Sequence, residues 1–308
     1  MEQMLLTKYG FAAQKIARKM LTIEVNQRIP RISDFASELS LGRGTIQGAL
    51  RFLEENQAIR VESRGHLGTF LLAKDNHKLL QFSGIGQLIG AMPLPYSKKY
   101  EGLATGLTKA FKKKDLPFHL AYMRGSLPRV KAMLDGRYDF AIVSRLAAEL
   151  ICKQDPAVQI GLTFGPFSYV SGHSIFLSHP EYTRIESGMK IGIDHTSDDQ
   201  RELTLAECEG LDVTFIELSY MNLLDMLEIG QIDAAIWNKD EVGRNAPLMK
   251  QIPLSRSHAK KIEQKITEAC LLIKAEQTEL QTILSMLSVE EILETQKKVE
   301  TKQILPHY

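Results

Sequence analysis

The sequence predicts an α/β protein in two parts, an N-terminal winged helix-turn-helix and a larger two-lobed domain. Three observations carry this. Two short amphipathic helix patterns joined by a tight break, then a hairpin pattern, fill the first seventy-odd residues. Strand and helix patterns alternate through the remainder. Within that remainder a helix–Gly–Asp–strand unit occurs twice, about ninety residues apart.

A chain of 308 residues sustains two or three domains. Its 44% hydrophobic and 24% charged residues are globular proportions that exclude a disordered or fibrous chain. The net charge of +1 is uneven. Residues 1–78 hold 12 Lys and Arg against 8 Asp and Glu, or +4, and the rest hold 26 against 29, or −3. A basic head on an acidic body fits a nucleic-acid module joined to something else. Cys152, Cys208 and Cys270 lie far apart with no metal-ligand spacing, so free thiols in a reducing compartment are expected, with no metal and no cofactor. No leader pattern and no apolar run of membrane-spanning length is present, so a cytoplasmic protein without a membrane partner is expected.

From Leu5 to Leu21, Phe11, Ile16 and Met20 recur at helical spacing among Lys8, Lys15, Arg18 and Lys19, predicting an amphipathic helix with a basic outer face. After Pro30, Ser33 is placed as the N-cap of a short helix carrying Phe35 and Leu39. Ser40, Leu41 and Gly42 break the chain, and a second helix from about Arg43 to Asn56 buries Ile46, Leu50 and Leu53. Two helices around so short a turn predict a helix-turn-helix. The second helix presents Gly44, Gln47, Gly48 and Arg51 outward, with Arg43 and Thr45 at its start. Glycines cost about 1 kcal/mol each in a helix interior, so close approach to a groove is their expected purpose. Gln and Arg carry the donors that base edges and phosphates take. Residues 58–63 and 69–72 alternate as strands around Arg64-Gly65-His66-Leu67-Gly68, a wing whose turn carries Arg64 and His66.

The run Ile29-Pro30-Arg31-Ile32-Ser33-Asp34-Phe35-Ala36, with Gly42–Ile46, Ala49–Glu54 and Gly68-Thr69-Phe70, resembles the GntR-type winged helix. That resemblance implies DNA contacts by Arg43 and Thr45 and by wing residues Gly68 and Thr69. Gly42, Gln47 and Leu67 stand where that family usually has Ser, Arg and a basic residue.

Beyond residue 84, strands are predicted at 88–92, 118–123, 140–143, 189–193, 213–217, 234–237 and 267–273. Helices are predicted at about 98–113, 126–134, 198–209, 220–228 and 278–298, in parallel sheets. Gly84-Ile85-Gly86 precedes its strand, which excludes a dinucleotide fingerprint. Val130–Ile142 is echoed by Leu223–Ile236, each a helix, a Gly exit, an Asp and an apolar strand. Two similar lobes follow, with 160–178 as a crossing segment. The expected domains are 1–74, a linker at 75–83, and 84–308 with its second lobe at about 176–262.

This arrangement resembles the type II periplasmic-binding-protein-like effector domain of LysR-type regulators, and the whole chain is most similar to the YhfZ family of transcriptional regulators. The resemblance implies a regulator that binds an operator in double-stranded DNA and a small effector between its lobes. Strand ends, where α/β sheets hold ligands, nominate Tyr96, Ser97, Arg124, Ser126, Ser144 and Arg145 from the first lobe. They nominate His195, Thr196, Ser197, Ser219, Tyr220, Trp237 and Asn238 from the second, with His173 near the crossing. Ser197 also stands three residues before Gln200, at capping-box spacing. Hydroxyls at helix starts, with Arg124 and Arg145, point to an anionic effector. A homodimer matches the two-fold symmetry of operators. An enzyme on the same fold, with His195 beside Asp194 as base, ranks below the sensor because no nucleophile elbow, phosphate loop or metal spacing appears. An inert dimerisation domain is the third reading.

Overall fold

The computed structural model describes residues 7–241 and 249–308. The start of the first predicted helix, Leu5 and Leu6, lies outside them. Elements run α1 (Lys8–Leu21), α2 (Ile32–Glu38), α3 (Arg43–Glu55), β1 (Ile59–Ser63), β2 (Thr69–Lys74) and α4 (Asn76–Ser83). Then come β3 (Leu88–Met92), α5 (Lys98–Lys113), β4 (Phe118–Tyr122), α6 (Ser126–Leu134), β5 (Phe140–Ser144), α7 (Arg145–Gln154), β6 (Val158–Thr163) and β7 (His173–Leu177). The chain continues as β8 (Lys190–Ile193), α8 (Asp198–Glu207), β9 (Thr214–Glu217), α9 (Leu223–Glu228), β10 (Ala234–Asn238) and β11 (Lys250–Pro253). It ends with α10 (Ser257–Ile266), β12 (Ala269–Lys274), α11 (Thr278–Ser285) and α12 (Val289–Glu300). No described helix is long and apolar enough to cross a membrane.

The chain folds as two compact units. One holds residues up to Leu88 with Lys109–His119 and Gln277–Leu287, and the other holds Ile89–Thr108, Leu120–Glu276 and Ser288–Tyr308. In the first, α1 packs on α3, and Ile16 and Met20 of α1 and Ile46 and Leu53 of α3 are all fully buried. Phe35 of α2 is buried with them, while Leu39 is only half-buried. The expected cap Ser33 lies inside the first turn of α2. Asp34 reaches back instead, its carboxylate accepting from the Arg31 N–H at 2.9 Å. Residues 75–83, expected as a linker, form α4 capped by Asp75 and packed on α1. The basic face of α1 is accordingly not all outward. Arg18 Nε donates to Ser83 O at 2.8 Å, and Arg18 and Lys15 both reach Glu279 of α11, at 3.4 and 3.8 Å.

The second unit contains two five-stranded sheets of the same plan. The first runs β4-β3-β5-β12-β6 and the second β9-β8-β10-β7-β11. Parallel pairing joins β3 to β5, and β8 to both β9 and β10. The sheets are mixed rather than wholly parallel, because β12 runs antiparallel to β5 and β6, and β7 antiparallel to β10 and β11. These are the strands adjoining the two passages of the chain between lobes, so they enter their sheets against the grain. The helices predicted over 278–298 are α11 and α12. Only α12 joins the first lobe, where Gly102 and Gly106 of α5 admit its backbone. A Cβ there would stand 2.8 Å from Gln296 O and 2.6 Å from Ile292 O.

The repeated Asp has one job in both lobes. Asp139 accepts from the Ile89 N–H and Asp233 from the Lys190 N–H, each at 2.7 Å, which fixes the start of the neighbouring strand. Gly136 and Gly230, at φ +78° and +69°, end the preceding helices in the left-handed region that glycine tolerates.

Candidate functional sites

The recognition surface is built on α3 and the wing. Burial of Ile46, Ala49, Leu50 and Leu53 turns Arg43, Gly44, Gln47 and Arg51 to solvent, with Thr45 half-buried at the helix start. A Cβ on Gly44 would meet nothing within 4 Å, so this glycine leaves an open surface. Gly48 has an internal reason instead. The Tyr9 ring lies 2.8 Å from its missing Cβ, and Tyr9 Oη donates to Gly48 O at 2.9 Å. Its smallness serves packing of α1 on α3, not approach to a groove. In the wing, Arg64 pairs with Glu62 and lies 4.7 Å over the Phe70 ring, while His66 is exposed at the turn.

The wing also contains a residue that the sequence reading left out. Arg28 bridges to Phe70, and Ile29 N–H donates to Thr69 O at 2.9 Å, so the segment before α2 lies along β2. Gly68, at φ +97°, has its missing Cβ 2.5 Å from Arg28 Nε. The exposed Arg28 therefore joins the wing surface beside Gly68 and Thr69. A basic residue directly before Ile29-Pro30 was the available signal.

The second site is a cavity of about 160 Å³ between the two sheets of the second unit. It lies at the carboxyl ends of β3, β4, β8, β9 and β10. Eight nominated residues line it: Tyr96, Arg124, His173, Thr196, Ser197, Ser219, Tyr220 and Asn238. Tyr96 is exposed and its hydroxyl accepts from Arg124 Nη2 at 2.7 Å. Tyr220 stacks on Trp237, centroids 4.0 Å apart, so Trp237 backs the wall without lining it.

The other nominees have different work. Ser97 caps α5, accepting from the Tyr100 N–H at 3.2 Å. Ser126 donates to Asp198 at 3.1 Å, and Ser144 donates to Asp199 at 2.5 Å while capping α7. Both serines thus tie the first lobe to α8 of the second. Arg145 is held by Glu268 and Glu149, at 2.9 and 3.0 Å, and does not reach the cavity. His195 is exposed and also lies outside the lining. Ser197 caps α8 as expected, but Gln200 does not complete the box. Its amide bonds Asp194 N and Gly192 O, at 2.7 and 3.1 Å.

The charged groups that the sequence reading missed are Arg129 and Asp199, and Asp194 entered it only as the neighbour of His195. Arg129 is 3% exposed, and its guanidinium donates to Ile142 O, Met123 O and Tyr169 Oη at 3.0, 2.8 and 3.2 Å. Asp194 accepts from Thr196 N and Tyr220 N, at 2.8 and 2.7 Å. Burial raises the Asp199 carboxyl to about 7, and the neighbouring Asp198 charge adds to this against the Ser144 hydrogen bond and Arg129. Burial lowers His173 to about 3, so its ring is neutral, and its Nδ1 is buried without a hydrogen-bond partner among the described residues. Asp198 and Asp199 in the first turn of α8 already complement its positive end. The helix starts are thus a weaker argument for an anion than the hydroxyl pattern implied.

Fold and sites together define a helix-turn-helix protein carrying a two-lobed domain of the periplasmic-binding-protein type. Residues 25–71 match a helix-turn-helix domain family, and residues 75–308 match the YhfZ C-terminal domain. The chain belongs to the YhfZ family. It is 34% identical over 309 residues to YhfZ of Escherichia coli (strain K12), with all of each chain covered. The crystal structure of YhfZ from Shigella flexneri superposes with a TM-score of 0.64 at 34% identity, covering 76% of this chain and 98% of that one. The substrate binding protein of a methionine transporter from Streptococcus pneumoniae gives a TM-score of 0.50 at 12% identity, over 72% of this chain and 96% of that one, a likeness of fold alone.

Proposed function

We propose that this protein is a cytoplasmic transcriptional regulator that binds double-stranded DNA as a homodimer through α3 and the wing, and that its cleft senses a small metabolite bearing an acidic group. The observation that carries the reading is the outward face of α3. Arg43, Gln47 and Arg51 are exposed there, and none of their side chains has a hydrogen bond or ion pair with a described residue. Such free donors suit phosphates and base edges. The GntR-like motif order supports the same face, and a pair of modules matches operator symmetry. For the cleft, support comes from polar groups converging on one cavity at the strand ends. A ligand there alters DNA binding only by its different affinity for two states, typically about 1–3 kcal/mol of coupling.

A selected-site DNA library probed by fluorescence anisotropy tests the first half. Wild type should enrich a two-fold-related sequence, and loss of any sequence preference would remove the regulator reading. Sedimentation with and without DNA tests the dimer. An enzyme is favoured by one observation, the Asp199 carboxyl held near neutrality inside a cavity. Turnover of a bound acid would put that reading ahead of the sensor.

A further inference from the structure

We propose, resting on the ligand-sensing reading above, that the cleft takes a zwitterion of amino-acid size, its carboxylate on Arg129 and its cationic nitrogen on Asp199. Arg129 is buried, yet its three bonds all go to neutral acceptors. A guanidinium has five N–H donors. Two therefore remain, and among the described residues no carboxylate lies within 4 Å to neutralise it. A buried cation left this way is costly unless something completes it.

Asp199 has the opposite shortage. Its neighbour Asp198 is satisfied by Arg201 at 2.9 Å and by Ser126. Asp199 accepts from the Ser144 hydroxyl, and no cation among the described residues is within ion-pair distance. Arg129 and Asp199 line the same cavity without pairing with each other. A molecule with one acidic and one basic end completes both. A plain anion would complete the first and be repelled by the second. His173 Nδ1, unpartnered and buried in the same lining, offers a further neutral hydrogen bond. The cavity of about 160 Å³ is close in size to one that admits benzene, so a small amino acid fits it.

The direction of proton exchange separates the two ligand chemistries. A cationic nitrogen at Asp199 favours the ionised carboxyl and expels its proton, whereas an anion nearby favours the acid and draws one in. The charged groups that act on Asp199 are Asp198 on α8, itself paired with Arg201, and Arg129 on α6, and Asp194, Arg124 and the neutral His173 line the same cavity.

The test uses the full chain, with thermal-shift and calorimetric titration of the small L-amino acids. Each is set against its deaminated acid and its decarboxylated amine, for example L-alanine against propionate and ethylamine. The expected result is an amino acid that binds at least about tenfold more tightly than either partner compound and releases about half a proton at pH 7. Asp199→Asn should cut that affinity at least about tenfold with the unliganded protein still folded. A deaminated acid that binds as tightly as its amino acid, takes up protons and is indifferent to Asp199→Asn would overturn the zwitterion while leaving an acid sensor in place. Binding by none of the acids, amino acids or amines would remove both this inference and the sensing reading beneath it.

Discussion

The recognition face of α3 and the cleft of the second unit both offer arginines to a partner, but in opposite surroundings. Arg43 and Arg51 stand in water on a helix whose other side is core. Arg129 is 3% exposed and pinned by two backbone carbonyls and a tyrosine hydroxyl. A solvated charge acts over about a Debye length of 8–10 Å and is weakened by salt. A desolvated one cannot be removed without stranding its acceptors. The first surface should therefore be tolerant of substitution and sensitive to salt, and the second intolerant and sensitive to pH.

The largest test of that contrast is Arg129→Ala. It strands the carbonyls of Ile142 and Met123 and leaves a void, so unfolding by denaturant should show a loss of about 3 kcal/mol. A loss below about 1 kcal/mol would mean that this arginine is no more embedded than those of α3. Next in size is Arg43→Ala, which should leave stability within about 0.5 kcal/mol while weakening DNA binding by about 1–3 kcal/mol. Titrations at several salt concentrations should also show a shallower slope if the lost contact is to phosphate. Unchanged affinity and slope would move the recognition surface off α3.

A smaller effect separates the two cleft groups by pH. With the Asp199 carboxyl raised to about 7, the folded protein binds its proton more tightly than the unfolded chain does, so its contribution falls as pH rises from about 4 to about 7. His173, lowered to about 3, has the opposite sign. The unfolded chain takes up that proton first, and stability rises with pH from about 3 to about 6.5. Asp199→Asn removes only the falling arm. The melting temperature of this variant relative to wild type should thus climb between pH 4.5 and 7.5, and a flat difference would show that Asp199 is solvated. The smallest change should come from Gly48→Ala. The helix gains up to about 1 kcal/mol from Ala, but the Tyr9 ring must give way, for a net change within about 0.5 kcal/mol. A loss of several kcal/mol would mean that Tyr9, 41% exposed, cannot move aside.

Local patterns carried far where the structure is itself local. Ile46, Leu50 and Leu53 announce α3 by spacing alone, and once its buried stripe is set, the positions of Arg43, Gln47 and Arg51 follow from 3.6 residues per turn. The twin Gly–Asp units likewise gave the two lobes, because each unit is a short helix, turn and strand. The cap of α2 was misplaced by two residues, from Ser33 to Arg31, because Ser33 and Asp34 offer equally short oxygens and only geometry selects Asp34, which reaches back to the Arg31 N–H.

The cleft obeyed a different logic. Its position at the strand ends was readable, and eight of its nominated residues line it, but the charges that give it chemistry were not. By chain position alone, Arg129 is one residue of the helix Ser126–Leu134 and Asp199 a first-turn acid of α8, and neither place marks a binding group. Their roles depend on β5, the segment between β6 and β7, and α8 meeting around one cavity. That meeting brings Ser144 to Asp199, Tyr169 to Arg129 and His173 into the wall. The sequence by itself determined the helix-turn-helix pair, the doubled lobe and the exposed basic face of α3, because neighbours along the chain and the water around it decide those. Only the tertiary structure decided which arginine is buried, which aspartate lacks a cation and which glycine is small for a tyrosine. Desolvation and pairing arise between residues tens of positions apart, and no window of sequence contains both partners.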